Sequence, residues 1–332
     1  MILVIGGAGY IGSHAVKELL DQNHKVVVLD NLSTGHRESV DNRAMFEQGD
    51  LGNTADLDRV FSTYNIDAVM HFAANSLVGE SVVHPLKYYQ NNVVATITLL
   101  EAMMKYSVKN FIFSSTAATY GIPEVDIITE DTVTNPINPY GQSKLMMEHI
   151  LHDFHNAYGL QYVVLRYFNA AGAHMTGEIG EDHTPETHLI PLVLQHLLGL
   201  RDSISVFGTD YDTEDGTCIR DYIHVTDLAR AHILALESLL EDKSASATYN
   251  LGNGKGFSVK EVIQTCERVT GKQANVVYTD RRSGDPAQLI ASSQKIYETL
   301  GWKAEYSLEQ IIQSAWSWHQ ANPSGFKTGI KQ

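Results

Sequence analysis

Residues 6–12 read Gly-Gly-Ala-Gly-Tyr-Ile-Gly and follow directly on an apolar, β-branched run at residues 2–5. The glycines fit both a Gly-x-Gly-x-x-Gly and a Gly-x-x-Gly-x-x-Gly spacing, and either one lets the backbone turn tightly and approach a pyrophosphate at a helix N-terminus. A glycine pattern alone is weak evidence, but here a strand is predicted before it, a helix after it, and Asp30 ends the next apolar run. The sequence therefore predicts a dinucleotide-binding turn that includes Gly6, Gly9 and Gly12.

Asp30 indicates which dinucleotide is bound. Its carboxylate can accept hydrogen bonds from both hydroxyls of an adenosine ribose and would repel a 2'-phosphate, which favours NAD over NADP. Arg37, seven residues later, is the residue that would weaken this preference. Asp50 stands where the following strand should stop, and its position fits an adenine ligand and a simple loop cap equally well.

Apolar runs alternate with helical stretches through the first half of the chain. We predict strands at residues 2–5, 25–30, 67–72, 110–114 and 162–167, and helices at residues 11–21, 55–64, 88–106 and 139–158. This alternation predicts an α/β fold with a doubly wound parallel sheet of the Rossmann type. We place an NAD-binding domain at residues 1–172 and a smaller α/β substrate domain at residues 173–332, with part of 219–240 returning to the first domain.

The composition is that of an ordinary globular protein, with 332 residues, 43% of them hydrophobic and 19% charged. A formal charge of −15 argues against a nucleic-acid partner, because such binding depends on clustered Lys and Arg. Cys218 and Cys266 are too far apart to indicate a disulfide framework or a metal site. The chain has no long apolar run, and its first strand leaves no room for a signal peptide, so we expect a cytoplasmic protein without membrane contact.

Tyr140 and Lys144 lie one helical turn apart, directly after Asn138 and Pro139. Their i, i+4 spacing puts both side chains on one helix face, and proline is suited to the first helical position. A phenol has a pKa of about 10, which adjacent positive charge from Lys144 and an oxidised nicotinamide lowers by roughly one to three units. We therefore predict that Tyr140 exchanges a proton with a substrate hydroxyl. Such a pair is common as a solvated helix face, and only the glycine turn gives it this meaning.

Thr116 ends the run Ser-Ser-Thr that closes the strand at residues 110–114. The carboxyl ends of strands in open α/β sheets are where ligands bind, so the Thr116 hydroxyl is expected to hydrogen-bond the reacting oxygen. A polar strand end is the alternative interpretation. Arg220, Arg281 and Arg282 stand out in this acidic chain because a guanidinium fork grips a diphosphate well, although surface ion pairs would explain them too.

Three histidines on the helix of Tyr140 resemble a metal site at first sight. His149, His152 and His155 recur every three residues, and this step drifts around a helix, so a solvated or packed face is favoured. We predict no metal.

Several motifs, in order and spacing over nearly the whole chain, resemble the extended short-chain dehydrogenase/reductase family. They are Gly6 to His14, His71-Phe-Ala-Ala74, Tyr88-Tyr-Gln-Asn-Asn92, Ser114-Ser-Thr116, Tyr140-Gly-Gln-Ser-Lys144 and Arg220-Asp-Tyr-Ile-His-Val225. Three further stretches are similar to the UDP-hexose 4-epimerases of that family, namely Leu165-Arg-Tyr-Phe-Asn-Ala-Ala-Gly-Ala-His174, Gly180-Glu-Asp182 and Asp210-Tyr-Asp-Thr-Glu-Asp-Gly-Thr217.

This resemblance implies an isomerase of galactose and nucleotide-sugar metabolism. Such an enzyme oxidises C4 of UDP-galactose or UDP-glucose with a tightly held NAD, lets the 4-keto sugar turn over in the site, and reduces it on the other face. Tyr140 would be general base and then acid, Lys144 its electrostatic partner and a ligand of the nicotinamide ribose, and Thr116 the orienting hydroxyl. A homodimer is also implied, in which the helices at 88–106 and 139–158 pair across a two-fold axis.

The resemblance further implies two sets of binding residues. Besides the glycines, the cofactor residues are Tyr10, Ile11, Asp30, Asn31, Ser33, Thr34, Gly35, Asp50, Leu51, Phe72, Ala73, Ala74, Ser76, Asn91, Thr116, Tyr140, Lys144 and Phe168. The substrate residues are Thr116, Tyr140, Asn169, Leu189, Phe207, Arg220, Arg282, Asp285 and Leu289.

Two positions depart from the family pattern and one suggests a broader substrate range. Thr116 replaces the commoner serine but keeps the hydroxyl, and Ile5 stands where many members have threonine. Leu289 falls near the residue that bounds the pocket around the sugar C2 substituent, and because leucine is small we expect N-acetylated UDP-hexoses to fit as well. The alternatives are a nucleotide-sugar dehydrogenase or reductase, a 4,6-dehydratase, and a non-catalytic NAD-binding protein.

Overall fold

The computed structural model describes residues 1–241, 246–282 and 285–326. The strands in this part of the chain are β1 (Ile2–Ile5), β2 (Val26–Asp30), β3 (Met45–Gln48), β4 (Ala68–His71), β5 (Asn110–Thr116), β6 (Gln161–Tyr167), β7 (Asn169–Ala171), β8 (Ile204–Phe207), β9 (Ile219–Arg220), β10 (Tyr222–His224), β11 (Ala247–Leu251), β12 (Phe257–Ser258), β13 (Val276–Thr279) and β14 (Gln288–Leu289).

The helices are α1 (Tyr10–Asp21), α2 (Thr54–Thr63), α3 (Val78–Val83), α4 (Pro85–Tyr88), α5 (Ala95–Lys105), α6 (Pro139–Tyr158), α7 (Leu189–Leu197), α8 (Val225–Leu240), α9 (Val259–Thr270), α10 (Gln294–Leu300) and α11 (Leu308–Ala321). Short 3₁₀ turns occupy Arg37–Ser39 and Ala117–Tyr120, and a π-helical turn occupies Tyr89–Val94.

Seven parallel strands form the main sheet in the order β11-β6-β5-β4-β1-β2-β3. The predicted doubly wound parallel sheet is confirmed. Strand β11 was not predicted, and it pairs with β6 at one edge of the sheet. Helix α8 packs against α1 and β5, so the chain returns to the first sheet after residue 224. The division into two domains at residue 172 stays a prediction.

The strands of this sheet are buried on both faces. In β1, Ile2 and Val4 belong to the apolar cluster beneath α1 and α8, whereas Leu3 and Ile5 belong to the cluster beneath α2, α5 and α6. All four side chains are at most 3% exposed. Fully burying a side chain of this size contributes roughly 1.5–3 kcal/mol, which explains why the strand is apolar throughout instead of alternating with polar residues.

Helix α6 has the bounds that the sequence predicts. The Asn138 side chain accepts a hydrogen bond of 2.9 Å from the Gly141 amide, Pro139 takes the first helical position, and Gly159 ends the helix at φ 71°. The helix predicted at residues 88–106 is present as an unbroken helical run, but its regular α-helical hydrogen bonding is interrupted. Helix α4 ends at Tyr88, the π-helical turn Tyr89–Val94 continues it with right-handed helical dihedral angles at both junctions, and α5 begins at Ala95.

The second half of the chain forms small sheets, β10-β7, β12-β9-β14 and β13-β8, packed with α7, α9 and α11 around a third apolar cluster. Strand β14 lies parallel to β9, and this register puts Leu289 beside Arg220. Within the described residues we find no helix both long and apolar enough to cross a bilayer.

Candidate active site

The glycine turn between β1 and α1 is too crowded for any side chain at its two ends. Gly6 has a φ of +77°, and a Cβ there would lie 2.6 Å from the backbone nitrogen of Ala73. A Cβ at Gly12 would lie 2.1 Å from the carbonyl oxygen of Gly6. Gly9 is the N-cap of α1, and no side chain caps this end of the helix. The turn therefore leaves backbone and a helix N-terminus facing outward.

Asp30 lies directly beside this turn at the end of β2. Its carboxylate accepts hydrogen bonds from the Ala8 amide at 2.9 Å and the Leu32 amide at 2.8 Å, and burial raises its pKa. Gly35 packs against Ala8 so closely that a Cβ would lie 2.7 Å from the Ala8 carbonyl carbon. The Arg37 guanidinium stacks on the Phe46 ring at 4.5 Å.

Asn31 and Asp50 form the next part of the same edge. The Asn31 amide donates to Asp50 Oδ2 at 2.7 Å, and the Gly52 backbone amide donates to Asp50 Oδ1 at 2.7 Å. Asp50 therefore does cap its loop, and the alternative of an adenine ligand remains a prediction. The Ser33 amide donates to Asn31 Oδ1 at 2.9 Å, which orders the stretch that carries Ser33 and Thr34.

The other predicted cofactor residues follow the carboxyl ends of the strands, which share one edge of a parallel sheet. Leu51 follows β3, Phe72, Ala73, Ala74 and Ser76 follow β4, Phe168 follows β6, and Asn91 lies in the π-helical turn. Asn92 ties this turn to α6, since its side chain donates to Ser143 Oγ at 3.0 Å and accepts from the Asn91 side chain at 3.0 Å.

Thr116, Tyr140 and Lys144 come together where β5 ends beside α6. The Lys144 ammonium, 3% exposed, donates to the Ser114 carbonyl at 2.7 Å and lies 4.8 Å above the Phe113 ring. The Thr116 hydroxyl accepts from the Ala118 amide at 3.1 Å. The ring of Tyr140 meets that of Tyr88 edge to face at 6.5 Å. Backbone groups therefore hold both the Lys144 ammonium and the Thr116 hydroxyl in place.

The pKa of Tyr140 is raised in the protein chain, and the predicted lowering by Lys144 together with an oxidised nicotinamide stays a prediction. Burial raises this pKa, and the neighbouring Thr116 hydroxyl partly counteracts this. The Lys144 ammonium itself is directed at the Ser114 carbonyl and the Phe113 ring. Burial lowers the pKa of Lys144 to about 7, with Glu148 acting in the other direction.

Glu148 is a neighbour of the site that the sequence analysis missed. It follows Lys144 by one more helical turn, is 7% exposed, and accepts from Ser115 Oγ at 2.5 Å. Arg166 grips it from β6, with Nε 3.0 and 3.2 Å from the two carboxylate oxygens. Extending the Tyr140 and Lys144 spacing by four residues would have identified it.

The predicted substrate residues form a second group around β9 and β14. Arg220 pairs with Asp285 and also donates to the Pro286 carbonyl at 3.0 Å, while Leu289 is its neighbour across the sheet. The Arg282 guanidinium lies 4.0 Å from the centre of the Phe207 ring. Arg281 stacks on Tyr211 and donates to Asp210.

Asn169 and Leu189 lie outside that group. The Asn169 side chain donates to the Asp221 carbonyl at 3.0 Å, next to the end of β6. Leu189 is the first residue of α7.

The turn and its surroundings fit NAD. The two crowded glycines bring bare backbone to the start of an uncapped helix, which suits a diphosphate. The Asp30 carboxylate is held by two amides and keeps lone pairs for ribose hydroxyls.

Comparison with known proteins identifies the family. Residues 2–252 match the model of the NAD dependent epimerase/dehydratase family, and the chain belongs to this family. A UDP-glucose 4-epimerase of Halalkalibacterium halodurans is 57% identical over 331 residues, which are 99% of this chain and 98% of the relative.

Solved structures agree with that result. A UDP-glucose 4-epimerase from Brucella ovis in complex with NAD is 50% identical, with a TM-score of 0.93 over 95% of this chain and 97% of the other. A UDP-Glc/GlcNAc 4-epimerase from Campylobacter jejuni is 43% identical, with a TM-score of 0.85 over 96% and 99%. The family resemblance predicted from the sequence motifs is confirmed.

Proposed function

We propose that this protein is an NAD-dependent UDP-hexose 4-epimerase that interconverts UDP-galactose and UDP-glucose. The observation that carries the proposal is the meeting of Thr116, Tyr140 and Lys144 at the sheet edge that also holds the glycine turn and Asp30. A phenol, a hydroxyl and an ammonium beside a dinucleotide cradle suit the removal and return of a proton on a sugar alcohol.

NAD, when bound, supplies reversible hydride exchange at C4 of the sugar. Tyr140 takes the proton of the C4 hydroxyl and later gives it back. Thr116 orients that oxygen with its own hydroxyl, which the Ala118 amide holds in place. Lys144 stabilises the phenolate form of Tyr140, and the Ser114 carbonyl fixes the ammonium position. Positioned proton transfer of this kind contributes roughly 10²- to 10⁴-fold in rate.

Arg220 and Arg282 are proposed to bind the diphosphate of the substrate. In the protein chain Arg220 of β9 is paired with Asp285, and Arg282 stacks on Phe207 at the end of β8. The Asp285 amide donates to the Arg282 carbonyl at 3.3 Å, which links the two arginines. A guanidinium can keep one carboxylate partner and still donate to phosphate oxygens, because it has five N–H groups. Asp285 holds Arg220 in place, and Asn169, outside this group, is proposed to bind another part of the substrate.

The decisive experiment uses purified protein, UDP-galactose and no added cofactor. We expect UDP-glucose to form, and the Tyr140→Phe variant to lose at least about a hundredfold in kcat while retaining NAD. Tyr158→Phe, at the 57% exposed end of the same helix, is the control and should keep full activity. Unchanged turnover in Tyr140→Phe would reject the mechanism.

Leu289 leads us to propose that N-acetylated UDP-hexoses are also substrates. The side chain is part of the two-residue strand β14, beside Arg220, and is smaller than an aromatic residue would be there. The relative from Campylobacter jejuni is named for both substrates. We expect measurable turnover of UDP-N-acetylgalactosamine and its loss in Leu289→Tyr, with UDP-galactose turnover kept. No turnover of the N-acetylated sugar by the unchanged protein would reject this proposal.

Two other reactions of the family are less well supported. A 4,6-dehydratase needs an acid and a base near Thr116, but Ala117 and Ala118 follow it. A net dehydrogenase or reductase would use the same three residues and accumulate reduced or oxidised cofactor. Absorbance at the reduced nicotinamide band during turnover separates these cases, since an epimerase leaves no net change.

We also propose a cytoplasmic homodimer. Apolar side chains are exposed on α5 and α6, Met104 at 38% and Met146 at 40%, and on the segments just before α5, with Val83 at 70%, Leu86 at 66% and Val94 at 58%. Pairing of α5 and α6 with a second copy would cover part of such a surface. Sedimentation equilibrium of the purified protein tests the dimer.

A further inference from the structure

The loop before α7 gathers two histidines and two glutamates. Glu181, His183, Glu186 and His188 each offer one nitrogen or oxygen atom, and these four atoms all lie within 4.8 Å of one another. Glu181 Oε1 is 2.7 Å from His188 Nδ1 and 3.3 Å from His183 Nδ1. Glu186 Oε1 is 3.3 Å from His188 Nδ1, and Glu186 Oε2 is 3.8 Å from His183 Nδ1. Among the described residues this is the one group of this kind.

Two atoms at the centre of this cluster are buried without a hydrogen bond. They are Glu181 Oε1 and His183 Nδ1, and Glu181 is only 3% exposed. Buried polar atoms almost always have a hydrogen-bond partner. Around these two atoms, the polar neighbours are the nitrogen and oxygen atoms of the other cluster residues. The distances would permit hydrogen bonds, but the groups are not aligned for them. The four candidate ligand atoms lie close enough together to surround a single ion.

We propose that Glu181, His183, Glu186 and His188 bind one divalent transition-metal ion, with zinc as the ion that suits the ligands best. Two imidazole nitrogens and two carboxylate oxygens are ligands that zinc accepts in tetrahedral sites. With bonds of about 2.1 Å the edges of such a tetrahedron are about 3.4 Å. The distances of 3.3 Å from Glu181 Oε1 to His183 Nδ1 and from Glu186 Oε1 to His188 Nδ1 match this edge, whereas Glu181 Oε1 and His188 Nδ1, at 2.7 Å, would move apart on binding the ion.

The ion would hold together segments that build the candidate active site. The ring of His183 meets that of Tyr10, the first residue of α1, at 6.0 Å, and His188 directly precedes Leu189 at the start of α7. In the same loop, Asp182 Oδ2 lies 3.3 Å from Nε2 of His36, a residue that follows β2. The role is therefore structural, since the ion fixes the loop between the glycine turn and the predicted substrate residue Leu189.

An ion-paired cluster without metal is the competing explanation. Two glutamates raise the pKa of His188 to about 10, so the histidine can carry a proton in place of the ion. Added zinc should raise the Tm if the cluster binds metal and should leave it unchanged if the cluster is held by a proton, so the two explanations can be distinguished. This inference does not depend on the epimerase proposal.

The test uses full-length protein without an affinity tag. Metal content is measured by mass spectrometry before and after chelation, and zinc is then titrated into the chelated protein by calorimetry and by thermal unfolding. We expect one zinc per chain and a higher Tm with zinc. In the double variant Glu181→Gln/His183→Ala we expect the affinity for zinc to fall by more than the roughly 10- to 100-fold that is lost when a residue supporting a metal ligand is removed. His149→Ala/His152→Ala, which removes two histidines from α6, is the control and should bind as the unchanged protein does.

Cobalt replaces zinc in a second measurement that does not depend on folding of a variant. Four-coordinate Co²⁺ absorbs visible light much more strongly than the hydrated ion, so binding of Co²⁺ to the unchanged protein should give an intense band that zinc removes. If the double variant does not fold, His188→Gln at the exposed end of the cluster takes its place. Absence of zinc binding, or equal binding by the cluster and control variants, overturns the proposal.

Discussion

Replacing Glu148 with glutamine should destabilise the protein far more than loss of a surface carboxylate does. Glu148 and Arg166 are 7% exposed each, and among the described residues Glu148 is the ion-pair partner of this guanidinium. Breaking a buried ion pair by removing one partner costs about 3–5 kcal/mol, because the remaining charge is left in a poor solvent. Glutamine still offers an acceptor to Ser115, and Arg166 keeps the Tyr120 hydroxyl at 2.9 Å, so we expect the lower end, about 3 kcal/mol.

Urea unfolding followed by circular dichroism measures this change in the free energy of unfolding. Asp58→Asn, which removes the carboxylate of the exposed pair with Lys105, is the matched control. The double variant Glu148→Gln/Arg166→Gln should recover part of the loss, because no unpaired charge remains. The reasoning is refuted if Glu148→Gln costs no more than Asp58→Asn, or if the double variant is as unstable as the sum of the two single ones.

The same variant should also change the pH dependence through Lys144. Its pKa of about 7 is depressed from 10.5 by burial and supported by Glu148, so glutamine at 148 lowers it further. A depressed lysine pKa means that the folded chain binds fewer protons than the unfolded one between the two values, and stability from this group rises with pH there. In Glu148→Gln that window should begin at lower pH. If protonated Lys144 supports Tyr140, the alkaline limb of the kcat profile should move to lower pH as well.

Two further changes test the cofactor cradle. Gly12→Ala should destabilise the protein by about 1–3 kcal/mol in thermal unfolding and weaken NAD binding, since its Cβ would lie 2.1 Å from the Gly6 carbonyl oxygen. Gly79→Ala is the control: with open space around it, this variant should be as stable as the unchanged protein or slightly more stable in the same measurement. Asp30→Ser should weaken NAD binding by roughly 10- to 100-fold, the loss expected for hydrogen bonds to a charged group. It should also narrow the difference between the Kd values of NAD and NADP, measured by fluorescence titration. An unchanged ratio of these two Kd values would show that Asp30 does not select the cofactor.

The features that local sequence determines were predicted well. Helix α6 has the predicted bounds because Asn138, Pro139 and Gly159 act within one turn of its ends. The parallel strands near the amino terminus were predicted because their apolar runs are buried on both faces. Strand β11 was missed because its role depends on pairing with β6, more than eighty residues earlier in the chain.

The candidate site was predictable in its residue types more than in its electrostatics. Tyr140 and Lys144 share a helix face as their spacing requires, but the direction in which the phenol pKa moves depends on burial and on the neighbouring Thr116 hydroxyl. Glu148 was missed because a charged residue on a helix is usually solvated, whereas this one is buried. The four residues at 181–188 carry no regular period, and only the path of the loop brings their side chains together.

Strand β11 makes completion of the first sheet depend on the second half of the chain. Until residues 247–251 leave the ribosome, β6 remains an edge strand with unpaired backbone groups, and its apolar Val163, Val164 and Leu165 are completely buried in the finished fold. A nascent or truncated chain that ends before Ala247 therefore presents a ready template for pairing with another molecule. Shortened forms of this protein should be made with β11 included, because without it they would aggregate during synthesis.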